Sequence, residues 1–334
     1  MLDIFRNDAF SLTSLTDAFI KAPYKPARIG ALGLFRSRGV STTSVIIEEK
    51  DGQLSLIQTT PRGGPGSQIG SPKRTARSFV VPHLERESTI MADEVQNVRA
   101  FGSENAADAV QAKVNEHLSD LRGMHEVTLE HMRASAIQGI VKDADGSTLI
   151  DLFSAFGVSQ QTATLSPDSS TDNGDTLRGE VVAIQRLIEA ELGAEPISGY
   201  RAFCGPEFFD ALRADLSVTK TLRFADPMSL LQQQANARVF SFGGVTFEEY
   251  RKSSITGTFF ADDECFVFPE GTNIFSTYFA PADFVETVNT LGLPGYAKIV
   301  SDAELNRWVK VHTQSNPLTI CLRPRAVVKV TLST

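Results

Sequence analysis

The chain has 334 residues, 42% of them hydrophobic, which suits two modest domains or one elongated one and excludes wholesale disorder. A net charge of −8 and an isoelectric point of about 5.3 argue against a dedicated nucleic-acid binder, although an acidic wall facing nucleic acid without binding it is compatible. No apolar run reaches the ~18 residues of a membrane span, and the opening MLDIFRNDAF lacks the basic region and apolar core of a signal peptide.

Residues 1–38 read as an arm. Leu12, Leu15 and Phe19 give one short amphipathic helix ended by Pro23, and the chain then runs extended past Tyr24-Lys25-Pro26 and Gly30. Such a segment buries little against itself, so it is expected to flap or to lie on another chain. A hairpin follows, Ser44–Lys50 against Gln53–Ile57 across Asp51-Gly52, a dipeptide suited to a type I′ turn. Beyond it lie the glycine-rich stretch Pro61-Arg62-Gly63-Gly64-Pro65-Gly66-Ser67, a basic cluster at Lys73, Arg74 and Arg77, and a returning strand from Arg77 to His83. With few apolar residues, this reads as a projecting tongue of two or three strands, stable only when docked. A short helix is expected over Ala92–Val98.

The rest of the chain is organised around Ser103–Gln138. Ala106, Val110, Val114, Leu118, Leu121, Met132, Ala136 and Ile137 recur mostly three or four apart, which places them on one helical face. Ser103 is a suitable N-cap, with Glu104 and Asp108 in the first turns. At ~1.5 Å per residue the helix would run ~50 Å, longer than a compact domain is wide. A helix of that length with a narrow apolar stripe reads as a spine that leaves much of its surface to neighbours.

After the spine, Asp143-Ala144-Asp145-Gly146 signals a second hairpin, and the Ser/Thr/Asp-rich residues 157–175 read as a surface loop. A mixed α/β unit follows. It holds a helix carrying Leu177, Val181, Ile184, Leu187 and Ile188 and stopped at Gly193, then a buried strand Ala202-Phe203-Cys204. A helix opening at Pro206 carries Phe208, Phe209, Leu212 and Leu216. Gln232-Gln233-Gln234 lies in a polar connection, a hairpin turns on Gly243-Gly244, and Phe266-Val267-Phe268 forms a strand. Short strands fill Thr287–Thr334, and no internal repeat is present.

The search for chemistry finds no catalytic, cofactor-binding or metal-binding set. The Gly63–Gly70 region lacks the lysine and hydroxyl that should follow the last glycine of a phosphate loop, and no buried strand precedes it. His125-Glu126 resembles the start of a zinc helix, but His131 is six residues on, where four would share a face. His117, His125 and His131 therefore read as solvated helix surface. Asp262-Asp263-Glu264 reads as solvated charge and Trp308 as packing. Cys204, Cys265 and Cys321 are far apart, odd in number and flanked by apolar residues, the pattern of buried reduced thiols. Hydrolase and nucleotide-dependent activities lack their motifs. An arm, a tongue and a spine form a shape that is poor as a monomer, and identical neighbours are the economical way to cover it.

Three stretches carry a family resemblance. They are Ala31-Leu32-Gly33-Leu34-Phe35 running into the Val45–Ile57 hairpin and Arg62-Gly63; Val81-Pro82-His83 through Ala92-Asp93-Glu94-Val95-Gln96 to Val98-Arg99-Ala100-Phe101-Gly102; and Asn289–Lys298 followed by His312–Leu318 and Arg323-Pro324. In order and spacing the chain resembles the lambda-like phage major capsid protein E family, whose members share the capsid fold first described for phage HK97. The middle, about 155–285, matches mainly in element order.

The resemblance implies an α+β HK97-like fold with an N-terminal arm (1–38), an extended E-loop (39–86), a peripheral P-domain (87–144 and 286–334) built on the spine, and an axial A-domain (145–285). It implies a non-enzymatic structural protein without cofactor or metal, forming hexamers and pentamers of an icosahedral phage head around double-stranded DNA that it encloses without specific binding. Portal, scaffolding and decoration proteins are the expected partners, the host cytoplasm the expected place of assembly, the virion the destination, and no membrane is involved. Candidate contacts between subunits are Phe19, Arg62, Gly63, Lys73, Arg74 and Arg77; the cluster Lys73, Arg74 and Arg77 reads equally as setting register against an acidic neighbour or as solvated loop charge. Some shells of this fold cross-link a loop lysine to a neighbour's asparagine; Lys50 and Lys73 are in the loop, but no carboxylate is marked beside them. An encapsulin-like compartment holding cargo enzymes is the alternative, and the genes next door would separate the two.

Overall fold

The computed structural model describes residues 11–22, 27–50, 74–95, 106–168, 174–224, 238–250, 259–302, 304–305 and 307–333. Helix α1 (Leu12–Lys21) starts where the Ser11 side chain accepts from the Ser14 amide, and it buries Leu15, Thr16 and Phe19. Its buried face lies on the chain's own spine helix and on the strand at Tyr296–Ser301. The arm is thus docked at home over its described part. Helix α2 (Arg28–Leu32) follows, where extended chain was expected, then strand β1 (Arg36–Gly39).

Strands β2 (Ser44–Lys50) and β3 (Arg74–Val80) pair antiparallel from Ser44↔Val80 to Lys50↔Arg74, which makes the base of a two-stranded tongue. The Asp51-Gly52 turn and the glycine-rich tip lie outside the described residues. Strand β4 (Leu84–Met91) and helix α3 (Ala92–Val95) lead to the spine, α4 (Ala106–Ile137), a 32-residue helix. The Ser103 cap lies outside the described residues.

The spine joins two cores. Its first half sets Val114, Leu118 and Leu121 against Leu15 and Phe19 of α1, Ile90 of β4, and Ala297 and Val311. Its last turns bury Met132, Ala134, Ala136 and Ile137 in the main core. Glu130 and Ser135 are buried there too, so the C-terminal third is wrapped by its own chain, where the sequence reading left much of the spine's surface to neighbours. The cause is the shift from a narrow stripe to small residues, Ala134-Ser135-Ala136, that let strands approach closely.

The histidines also depart from the sequence reading. His117 Nδ1 lies 2.6 Å from Ser88 Oγ of β4, His125 Nε2 3.1 Å from Thr313 Oγ1, and His131 Nε2 3.2 Å from the Asp143 carbonyl oxygen. Each is half-buried and ties the spine to a different neighbour. Without knowing which elements flank a helix, a polar residue facing a strand cannot be told from one facing water.

Strands β5 (Ile140–Lys142) and β6 (Thr148–Asp151) form the expected hairpin, and Asp151 caps helix α5 (Leu152–Phe156) by accepting from the Phe153 and Ser154 amides. The loop expected over 157–175 contains strand β7 (Gln161–Leu165), whose alternating Thr-Ala-Thr-Leu buries Leu165. Helix α6 (Gly174–Leu192) ends at Gly193 as expected, and β8 (Gly199–Cys204) follows. Helix α7 (Pro206–Ala214) carries Phe208, Phe209 and Leu212, but Leu216 opens a separate helix, α8 (Leu216–Phe224). The break is at buried Asp215, whose carboxylate accepts from the Ser217 amide at 2.8 Å and, through its other oxygen, from the Asp168 amide at 2.8 Å.

Strands β9 (Val239–Phe242) and β10 (Val245–Glu249) pair across Gly243-Gly244. Strands β11 (Glu264–Glu270), β12 (Phe275–Phe279), β13 (Tyr296–Ser301), β14 (Trp308–Ser315), β15 (Pro317–Cys321) and β16 (Val328–Leu332) complete the described fold. The largest sheet has the order β7-β16-β11-β8-β10-β9, with β7–β16 and β8–β10 parallel and the other pairs antiparallel. Strands β13-β14-β4 make an antiparallel sheet beside the spine, and β1-β12-β15 make a third sheet, whose Phe275, Leu318 and Ile320 join the main core. The C-terminal strands therefore divide. β13 and β14 lie beside the spine, whereas β16 joins the large sheet because Val328 and Val330 alternate inward against β11. The core of that region is aromatic. Phe203 lies 5.2 Å from Phe268, and Phe209 5.2 Å from Phe240, each contact worth roughly 0.5–1.5 kcal/mol beyond its buried area.

Candidate assembly surfaces

Two apolar surfaces are held in defined positions and left open. The first is the outer face of the tongue base. Period-2 alternation turns Val45 and Phe79 inward, where Phe79 packs 5.8 Å from Phe156. The same alternation turns Ile46 and Val80 outward, 66% and 75% exposed. Arg77, on the inner face, donates through Nη2 to the Phe156 carbonyl oxygen at 3.0 Å and lies 5.2 Å from that ring's centroid.

The second surface is the segment 285–293. Val285 is 89% exposed, Val288 63%, Leu291 69% and Leu293 40%, four large apolar side chains within nine residues. The backbone beneath them is pinned. Thr287 Oγ1 donates to the Ala282 carbonyl oxygen at 2.6 Å, and Thr290 Oγ1 to that of Thr287 at 2.7 Å. The Leu293 amide donates to Tyr296 Oη at 2.9 Å, and the Gly292 amide to the Val40 carbonyl oxygen at 2.9 Å. Asn289 takes φ of 60°, the one positive φ outside glycine among the described residues. A fixed apolar ridge on a soluble surface is what an interface between proteins needs.

Charged groups tie the large sheet to the arm and the spine. Arg28 of α2 forms a two-toothed pair with Glu248 of β10, Nη2 to Oε2 being 2.9 Å. Arg201 of β8 reaches the same Oε2 at 2.9 Å and Glu270 of β11 at 2.5 Å. Glu130 of the spine, 2% exposed, accepts from the Ile29 amide at 2.6 Å, the Gly30 amide at 3.1 Å and Tyr250 Oη at 2.6 Å. It therefore caps α2 from outside and fixes spine, arm and sheet together. Burial and the Glu130 charge push the Tyr250 hydroxyl well above its ordinary value, so it stays a donor.

Beside the spine lies a groove of about 830 Å³ whose lining includes His83, Arg86, Met124, His125 and His131. Burial, with the nearby Arg86 and His312 charges, pushes His125 down to about 4. Among the described residues, Glu85, Glu87 and His312 alone come together as a cation could require, their ligand atoms within 4.8 Å of one another. Glu87 also accepts from Lys310 Nζ at 2.8 Å, and the hydrogen bonds from Lys310 and then His312 hold its carboxyl below the usual range. Lys310 thus already supplies a cation to Glu87.

Of the contact residues expected from sequence, Phe19, Arg74 and Arg77 are among the described residues. Phe19 is 4% exposed, edge-on to His125 at 5.8 Å and packed over Gly295, so its own chain covers it. Arg77 is engaged by Phe156, and Arg74 stands opposite Lys50 in the ribbon. Arg62, Gly63 and Lys73 lie outside the described residues. Sequence reasoning missed the ridge at 285–293. Its Val-x-x-Val-x-x-Leu spacing was the available signal, obscured by the neighbouring strands' apolar alternation.

The chain is 28% identical to the major capsid protein of Pseudomonas phage KPP10, with 96% of each chain covered. It is 24% identical to the major capsid protein of Salmonella phage Felix O1, covering 99% of this chain and 98% of that one. Among solved structures, the capsid asymmetric unit of cyanophage A-1(L) matches with a TM-score of 0.50 at 11% identity, covering 93% of this chain and 94% of that one, a likeness of fold. The mixed helices and strands described above are consistent with the HK97-like capsid fold. The family model described as phage major capsid protein E matches residues 11–332, so the chain belongs to that family.

Proposed function

We propose that copies of this chain assemble into hexamers and pentamers of an icosahedral phage head that encloses double-stranded DNA without binding it specifically. The observation that carries the reading, beside family membership, is the rigid apolar ridge Val285–Leu293, which has no use in a lone subunit. Weak contacts repeated several times per subunit would suffice, because multivalency multiplies them. The role is structural, with no catalytic step assigned to any residue. Assembly takes place in the host cytoplasm, with portal, scaffolding and decoration proteins as partners, and the product is the virion capsid. No described helix is long and apolar enough to cross a membrane.

In this reading residues 1–38 are the arm and 39–86 the E-loop. The peripheral part combines 87–144 with 286–334, and the axial part is 145–285, whose large sheet β16 joins. Negative-stain electron microscopy of the expressed protein tests it. Closed shells, or the five- and six-membered rings that build them, are expected. Single subunits in every field at high concentration would refute it.

A further inference from the structure

Cys204 and Cys265, 61 residues apart in sequence, meet in the middle of the large sheet with their Sγ atoms 3.2 Å apart. Cys204 ends β8, Cys265 lies on β11, and the antiparallel register sets them directly opposite each other. The next pair along, Gly205 and Glu264, is joined by a hydrogen bond from the Gly205 amide to the Glu264 carbonyl oxygen at 2.9 Å. Because bonded and non-bonded pairs alternate in an antiparallel ladder, Cys204 and Cys265 form a non-bonded pair, whose Cα atoms stand about 4.5 Å apart. That is within the span a disulfide bridges, so closure needs the two sulfurs to draw together without moving a strand. Cys321, on β15 in another sheet, has no such partner among the described residues.

We propose that Cys204 and Cys265 are a dithiol–disulfide couple, open in a reducing cytosol and closing to a cross-strand disulfide when the chain meets a small disulfide oxidant. In the closing step one thiolate attacks a sulfur of the oxidant and expels one thiolate. The second protein thiolate then attacks the mixed disulfide and expels the other. Two electrons pass from the cysteines to the oxidant, and the two cysteine protons end on the two released small thiols. Both cysteines are fully buried, and burial raises the Cys265 thiol well above its ordinary value, so closure proceeds while the sheet is opened or still folding. Once closed, the bond would link the two central strands of the sheet. On the phage-head reading proposed above, transient opening of the sheet after release from a reducing cytosol into an oxidising exterior gives the couple its second state.

The test refolds the full chain from urea in a mixture of oxidised and reduced glutathione, alkylates the remaining thiols, digests, and reads the peptides by mass spectrometry. The expected result is a linked peptide pair containing Cys204 and Cys265, with Cys321 alkylated and the same pair in Cys321→Ser. Cys204→Ser should abolish the linked pair and leave Cys265 alkylated or carrying glutathione. The oxidised chain should also melt several degrees above the reduced one. Three alkylated cysteines after oxidising refolding, or links to Cys321 as frequent as those between Cys204 and Cys265, would overturn the proposal. Because refolding exposes every thiol, burial cannot account for a negative result, and the readout does not depend on shell formation.

Discussion

Gly39 and Gly292 meet backbone to backbone at the root of the tongue. A methyl group on Gly39 would stand 2.5 Å from the Gly292 carbonyl oxygen, and one on Gly292 would collide with the backbone of Phe279 and Ala280. The contact fixes the apolar ridge 285–293 to β1, the strand that precedes the tongue. Backbone cannot swing aside as a side chain can. Gly292→Ala is therefore expected to destabilise the subunit by about 2–4 kcal/mol, measured by urea unfolding. A change within about 0.5 kcal/mol would show that the ridge is not pinned there.

Gly123 gives the opposite expectation. It lies within the spine, and an added methyl would meet nothing within 4 Å. Gly123→Ala should stabilise by about 0.5–1 kcal/mol through helix propensity and the unfolded chain's lost freedom. Calorimetry showing a lower melting temperature would contradict this.

Glu130 serves three donors from two elements. Glu130→Ala would leave the Ile29 and Gly30 amides and the Tyr250 hydroxyl without that acceptor, for an expected loss of about 3 kcal/mol or more. Glu130→Gln keeps one acceptor oxygen and should lose less. Equal losses in the two variants would mean that the side chain's packing, rather than its acceptors, matters.

His125 predicts acid sensitivity with a definite sign. Its folded value of about 4 lies below the ordinary 6.5, so the unfolded chain binds the proton more readily between those limits. Its contribution is present above about pH 6.5 and is lost as pH falls toward 4, on the order of 2 kcal/mol after allowance for partial exposure. Unfolding curves across that range should be steeper in pH for the native chain than for His125→Phe. Parallel pH profiles would remove His125 from the acid response.

The ridge itself is the assembly prediction. Val285→Asp and Leu291→Asp change exposed side chains, so the subunit's stability should stay within about 0.5 kcal/mol while assembly is lost. Shells of normal yield from the double variant would exclude this surface. Reversing Arg74 and Arg77 to glutamate is also expected to impair heads, but Arg77 is bonded to Phe156, so the pair must be compared with Arg74→Glu alone.

What the sequence disclosed follows from locality. The hairpins at Asp143–Gly146 and Gly243-Gly244, the stop at Gly193 and the spine depend on neighbours in sequence, and each formed close to its expected place. Strand β7 hid in a Ser/Thr/Asp-rich stretch because its partner, β16, comes from the far end of the chain. The same holds for Glu130 under Ile29, for the paired Cys204 and Cys265, and for the spine histidines. Their meaning lies in what faces them, and spacing along one strand or helix does not supply it. Phe19 carried a sound apolar signal, but the periodicity that marks a buried face does not say which copy of the chain buries it.

Copies of this chain are expected to cover one another's open faces. Sedimentation velocity over a concentration series measures this directly. The 36.3 kDa subunit should give way to particles of many subunits as concentration rises. A single 36.3 kDa species at every concentration would contradict it.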